Sequence, residues 1–214
     1  IGSWEEGLYC VKTDGSIENL RHNPMNTNSL CSNFVRSCCE DNSGDLWIGT
    51  FNGLNRYDRE TGKFHLYTAN GNSPDGLTHS SIWCIVKDGQ GTIWLGTYFG
   101  GVNYFNPEYE IYTRYKVGDT EKAGLSSPIV GRMTEDKDGN LWICTEGGGV
   151  NVYDRINNTY RWYRHEEGRN SISHNNVKAI YYDRANEIMW IGTHLGGLNK
   201  LDPVSYTHLR AHET

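Results

Sequence analysis

What this sequence has little of narrows it first. Only three of its 214 residues are methionine, and alanine and leucine are thin, so strong helix formers are in short supply. No stretch approaches the roughly 18 apolar residues of a membrane-spanning helix. There is no basic block either. The net charge of −6 comes from interspersed signs, which argues against nucleic-acid binding. The opening IGSWEEGLYC has neither a basic start nor an apolar run, so no secretory leader is visible in it. The six cysteines contain no C-x-x-C: Cys38 and Cys39 are adjacent, and Cys10, Cys31, Cys84 and Cys144 stand alone. No metal pattern follows from that spacing, and the expected role of all six is that of small core hydrophobes. G-x-S-x-G and H-E-x-x-H are both missing. The glycine run Gly147–Gly149 has no following helix and no closing Lys-Ser/Thr, so it reads as a hairpin rather than a phosphate loop. On these grounds no catalytic residue, metal or cofactor is assigned.

What is abundant points to strands and tight turns: 25 glycines, 14 tyrosines and 7 tryptophans. The composition also hides a period. LWIGT, IWLGT, LWICT and MWIGT carry Trp47, Trp94, Trp142 and Trp190, spaced 47, 48 and 48 residues apart. Upstream of each stands an apolar residue (Val35, Ile82, Val130, Val177), followed six positions later by an aspartate (Asp41, Asp88, Asp136, Asp183). Downstream come GLNRYD, GVNYFN, GVNVYD and GLNKLD, then the aromatic segments KFHLY, IYTRY and TYRWY. Each unit predicts four short strands: A over 35–40, B over 46–50, C over 54–58 and D over 63–68. The turns between them are rich in Gly, Asn and Asp. Strand B has apolar side chains on both faces, so its sheet should be covered on both sides. Repeated four-stranded sheets that cover one another describe an all-β propeller. The four tryptophans are expected to pack between its blades.

The string Asp136–Asp154, DKDGNLWICTEGGGVNVYD, resembles the two-component regulator propeller repeat, with Cys144 in place of a glycine. The likeness covers residues 1–203: a partial blade over 1–22, full blades over about 30–68, 77–116 and 125–164, and a partial blade over 172–203. It implies an arc of about four four-stranded blades, a fragment of a seven-bladed propeller that begins and ends mid-ring. It further implies the periplasmic sensor region of a hybrid two-component histidine kinase of Bacteroidota. Such a receptor detects oligosaccharides to regulate polysaccharide utilisation, and no enzyme activity falls in this segment. The implied partners are an oligosaccharide ligand, the remaining blades and kinase modules of the full-length chain, and a second copy in a homodimer. No contact with nucleic acid or membrane is expected of this segment. Two alternatives stay open: a propeller lyase resembling streptogramin lyase, and a scaffold propeller that binds protein.

Function should lie where the repeats differ. In a propeller the B–C loops and the D–A linkers share one face, and the residues there are Trp4, Glu5, Phe51, Asn52, His79, Tyr98, Phe99, Glu146, His174 and His194. Aromatic faces beside Asn, Glu and His suit a sugar, which needs a stacking platform and edge hydrogen bonds.

The period holds through Asp202-Pro203, where a fourth strand should follow near residue 208. Val204–Thr214, VSYTHLRAHET, looks instead like the in-frame translation of a transposase sequencing adapter and is read as non-native. Resequencing the locus with a different library chemistry should replace these eleven residues with an aromatic strand; finding them unchanged would refute that reading.

Overall fold

A computed structural model describes residues 1–69, 76–106, 111–118, 120, 123–202 and 208–210. The chain forms two compact units, Ile1–Tyr98 with Asn103–Arg114, and Phe99–Val102 with Tyr115–Thr214. Every described element is a strand. The first sheet holds β1 (Leu8–Val11) and β2 (Ile17–Leu20). The second runs β3 (Val35–Glu40), β4 (Leu46–Thr50), β5 (Gly53–Asp58), β6 (Lys63–Tyr67). The third runs β7 (Ile82–Lys87), β8 (Ile93–Thr97), β9 (Val102–Asn106), β10 (Ile111–Tyr115). The fourth holds β11 (Val130–Glu135), β12 (Leu141–Thr145), β13 (Gly149–Asp154) and β14 (Thr159–Tyr163). The fifth holds β15 (Val177–Asp183), β16 (Ile188–Thr193), β17 (Gly197–Leu201) and β18 (His208–Arg210).

Strands A and B therefore fall where the pattern puts them, while C starts one residue earlier and D ends one residue sooner. The partial blade over 1–22 carries two strands, and its strand B is a single bridge between Gly2 and Leu8. In the last sheet β18 pairs antiparallel with β17, in the place of a strand D. The other residues of 204–214 lie outside those described.

Strand B is covered on both faces, as its pattern predicts. In the first unit Ile48 packs with Leu8, Leu30 and Val35 between the first and second sheets. Trp47, one residue earlier, points the other way and packs with Ile82, Ile93, Leu95 and Phe105 of the third. In the second unit Trp142 and Cys144 pack with Val177, Met189 and Ile191 between the fourth and fifth sheets. Trp47, Trp94 and Trp142 are at most 1% exposed.

Burial of an indole also buries its N–H, which then requires a partner. In three copies the repeating aspartate supplies it: Nε1 of Trp47, Trp94 and Trp142 donates to Oδ2 of Asp41, Asp88 and Asp136 at 2.7, 2.8 and 2.8 Å. The other oxygen, Oδ1, accepts two backbone N–H groups of the A–B turn, from Ser43 and Asp45, Gln90 and Thr92, or Asp138 and Asn140. One carboxylate thus closes the turn and orients the tryptophan. The last copy departs from this. An extra residue puts Asp183 seven positions before Trp190, and its carboxylate accepts from Ala185, Asn186 and the Asn186 amide side chain instead. The Asn186 amide holds the Asp183 carboxyl below the usual carboxylate range. Trp190 is only half-buried.

A second repeating device was not singled out from the sequence. The asparagine of each G-(L/V)-N stretch is fully buried and ties the D–A linker to strand C. Oδ1 of Asn55, Asn103, Asn151 and Asn199 accepts the backbone N–H of Cys31, Thr78, Ser126 and Ser173. Nδ2 of the last three donates back to the hydroxyl of Thr78, Ser126 or Ser173 at 2.7–2.9 Å. Cys31 offers no hydroxyl, and Nδ2 of Asn55 has no hydrogen-bond partner.

The cysteines do not all behave as core residues. Cys84 and Cys144 are buried, but Cys10, Cys31 and Cys39 are half-buried and Cys38 is exposed. Strand A alternates its faces, and the adjacent pair cannot both point inward. Burial, then the neighbouring Cys38, pushes the Cys39 thiol up to about 12.

Replacing Cys31 by Ser should give Asn55 the bond its three counterparts have. The expected gain is about 0.5–1.5 kcal/mol in chemical denaturation; an unchanged or lower midpoint would show that Asn55 is satisfied in another way.

Candidate functional site

In four copies the residue after strand B donates its backbone N–H to the carbonyl just before strand A. The pairs are Phe51 to Phe34 (3.2 Å), Tyr98 to Ser81 (3.1 Å), Glu146 to Ile129 (3.0 Å) and His194 to Asn176 (2.8 Å). These bonds pin each B–C loop against the D–A linker of its own blade, so the two loop types share one face. Strand A then bulges at its second residue. The ladder register shifts between Val35 and Ser37, Ile82 and Cys84, Val130 and Met133, and Val177 and Ala179. A bulged residue leaves the ladder and its side chain is re-aimed. The residues at these shifts are Arg36, Trp83, Gly131 with Arg132, and Lys178: four copies, four different solutions.

In the first unit the bulges and loops build an aromatic cluster around one guanidinium. The Cζ of Arg36 lies 4.2 Å from the Trp4 ring centroid, 4.7 Å from that of Trp83 and 5.8 Å from that of Phe51. Trp83 in turn stacks on Tyr98, with centroids 4.7 Å apart and planes at 17°. Phe34 meets Trp4 edge-on at 5.8 Å and Phe51 at 6.1 Å. Trp4 and Phe51 remain exposed, at 55% and 41%. Of the loop-tip candidates, then, Trp4, Phe51 and Tyr98 are brought together. Glu5 and Asn52 are exposed on the same loops; the Asn52 backbone N–H donates to Thr50 Oγ1. Glu6, next to Glu5, is ion-paired with Arg21 at 2.5 Å.

His79 sits one linker away and has a local duty. Its Nδ1 accepts the Ser81 backbone N–H at 3.0 Å, which leaves the ring proton on Nε2. Ser32 fills the same position one copy earlier and accepts from Phe34 in the same way.

In the second unit the face is charged. Glu146 and Lys178 form an ion pair, and the Gly147 N–H donates to Asn176 Oδ1 at 3.1 Å. His174 repeats the His79 arrangement, accepting the Asn176 N–H at 2.9 Å. The His174 and His194 rings are 6.5 Å apart at 70°. Phe99 is 54% exposed.

Arg36, Trp83, Phe34 and Lys178 were missed from sequence. The available signal was positional: each stands directly beside the repeating apolar residue that opens strand A, at a place where the copies disagree.

Together these features define a class, a β-propeller in which, within each unit, non-repeating side chains gather at the B–C loops and D–A linkers. The chain carries four copies of the two-component regulator propeller repeat, matched at residues 29–52, 76–99, 124–147 and 171–194. No curated protein matches it. Similar solved structures include the extracellular domains of two hybrid two-component systems from B. thetaiotaomicron. One is 22% identical with a TM-score of 0.75, covering 86% of this chain and 25% of that one. The other is 20% identical with a TM-score of 0.69, covering 98% and 35%. Virginiamycin B lyase from Staphylococcus aureus shares the fold at 14% identity and a TM-score of 0.65, covering 94% and 61%. The chain thus spans between a quarter and about a third of the two-component relatives.

If the cation–π contact orders the cluster, a double-mutant cycle of Arg36→Gln and Trp83→Ala should give a coupling energy of about 0.5–2 kcal/mol in urea unfolding. Additive effects would reduce the contact to mere proximity.

Proposed function

We propose that this chain is part of the extracytoplasmic sensor of a hybrid two-component histidine kinase, and that its loop face binds an oligosaccharide. The observation that carries this is the gathering of Trp4, Phe34, Phe51, Trp83 and Tyr98 around Arg36 at positions the repeat leaves free to vary. Residues that repeat serve packing. Residues that differ at this face of the first unit, with Trp4 and Phe51 exposed and Phe34, Trp83 and Tyr98 half-buried beneath them, serve recognition. The repeat family and the extracellular relatives support placing that face outside the cytoplasm, in the periplasm of a Bacteroidota cell.

Ligand bound at this face would signal by favouring one arrangement of a homodimer over another, and so biasing a kinase in the same full-length chain. A lyase reading is supported only by shared fold. Glu146 is engaged by Lys178, and His79 in the first unit and His174 in the second each use one ring nitrogen to hold a turn. Fold alone does not assign chemistry.

Calorimetry of the complete ectodomain against a panel of plant and host oligosaccharides tests this. At least one saccharide should bind, and Trp4→Ala with Phe51→Ala should weaken it by on the order of 10-fold or more. Absence of binding to every saccharide would overturn the proposal.

A further inference from the structure

The second unit gathers polar side chains of its own around a single linker residue, Asn176. Asn176 Oδ1 accepts the Gly147 N–H at 3.1 Å, and its backbone carbonyl accepts the His194 N–H at 2.8 Å. Its own N–H donates to His174 Nδ1 at 2.9 Å. Glu146 adjoins Gly147 and is ion-paired with Lys178, two positions after Asn176. The His194 ring stands 6.5 Å from that of His174. Two B–C loops and one D–A linker thus bring a carboxylate, an ammonium and two imidazoles to one place.

Each of these groups keeps bonding capacity to spare. Both Glu146 oxygens can accept, and among the described residues only Oε1 does so, from Lys178. Lys178 uses one ammonium N–H on that bond and has others left. Because His174 Nδ1 is an acceptor, the ring proton sits on Nε2, and that N–H has no acceptor among the described residues. Glu146 is half-buried, while Lys178, His174 and His194 are exposed, so a ligand can reach them as they stand.

The set favours hydroxyls over charged groups. An anion would be repelled by Glu146 and a cation by Lys178, and either would compete with the existing ion pair. A hydroxyl avoids that conflict, since it donates to the carboxylate while it accepts from an ammonium or imidazole N–H. Adjacent hydroxyls of a sugar ring present this donor–acceptor pattern twice, in a fixed geometry. Beside His194, Leu195 is 89% exposed and holds a left-handed backbone at φ 61°, where the preceding copy has Gly147 at φ 78°. A strained leucine with almost no packing of its own offers apolar surface to an incoming C–H face.

We infer that Glu146, Lys178 and His174 form a second saccharide subsite, which takes the hydroxyl edge of a sugar ring and sets stereochemical specificity. This rests on the saccharide reading above. A vicinal pair of hydroxyls donates to Glu146 Oε2 and accepts from Lys178 and His174 Nε2–H, with Leu195 against the adjoining carbons.

The test begins with calorimetry of the complete ectodomain against cellobiose, xylobiose, mannobiose and galactobiose. Analogues of the tightest binder, each lacking one ring hydroxyl, are then titrated. Loss of either of two adjacent hydroxyls should weaken binding on the order of 10- to 100-fold. Glu146→Gln should weaken the parent sugar by a similar factor, yet change the affinity of that deoxy analogue by less than about 2-fold, because the bond is already missing. His174→Ser removes the Nε2–H but keeps the turn, since Ser32 and Ser127 hold the same place in other copies and accept the N–H of Phe34 and Ile129. It should show the same selective loss. Lys178→Met supplies a third reading if either variant melts early. Equal weakening of the parent and all its analogues, or unchanged binding in the variants, would overturn the subsite and leave an ordinary surface ion pair, with recognition at Trp4 and Phe51 still standing. Failure of all four disaccharides would also overturn it. Failure of the wider plant and host panel as well would remove the saccharide reading beneath it.

Discussion

A single buried carboxylate holds each of three blades together. Asp41, Asp88 and Asp136 are each at most 6% exposed, an environment in which an unpartnered carboxylate would be severely destabilising. Each instead accepts two backbone N–H groups of its own turn and one indole N–H. Hydrogen bonds to a charged acceptor contribute about 1.5–3 kcal/mol apiece. The same group therefore closes the A–B hairpin, sets the start of strand B and fixes the tryptophan ring, which for Trp47 and Trp142 is the ring that the next sheet packs against. The last copy shows the dependence. One added residue between Asp183 and Trp190 is enough to dissolve the link, and the aspartate then serves only its local turn.

A second tie, between the buried asparagines and the D–A linkers, acts at the opposite end of each blade. It keeps the linker within reach of the B–C loop, and the backbone bond from that loop completes the join. With both ends of the sheet held by repeating residues, the positions between linker and strand A can vary without cost to the fold. That division of labour lets one blade place an arginine, the next a tryptophan and another a lysine at the same point of the same bulge. Cys31 is a place where the division frays, because a thiol stands where three other copies have a hydroxyl.

The loop face consequently differs along the chain. In the first unit it is aromatic and built around a cation, while in the second an acid–base pair and two histidines occupy the equivalent places. Nothing in the strand pattern distinguishes these copies. They differ only in side chains that the repeating framework does not use.

Much of the fold was legible from residue order. A period of 47 or 48 with an indole at one register specifies repeated sheets, and two-faced apolarity in strand B specifies that they cover one another. Trp47 and Trp142 pack as their register implied, and the strand limits differ by a residue at most within the second sheet. The asparagine tie and the four bulges were not legible. An Asn in a strand reads as a weak strand former until its partner, about 25 positions away, is known. A bulge leaves no mark of its own in residue type, since it is a mismatch between two pairing registers. The loop tips Trp4, Phe51 and Tyr98 could be named in advance because they fall between recognisable strands. Their convergence could not, because Trp4, Arg36 and Trp83 are 32 and 47 positions apart and meet only once three sheets have stacked. Sequence determined the blade, through local periodicity and turn chemistry. Tertiary structure decided the site, because where a bulged side chain points depends on the register of its ladder and on the sheets that stand beside it.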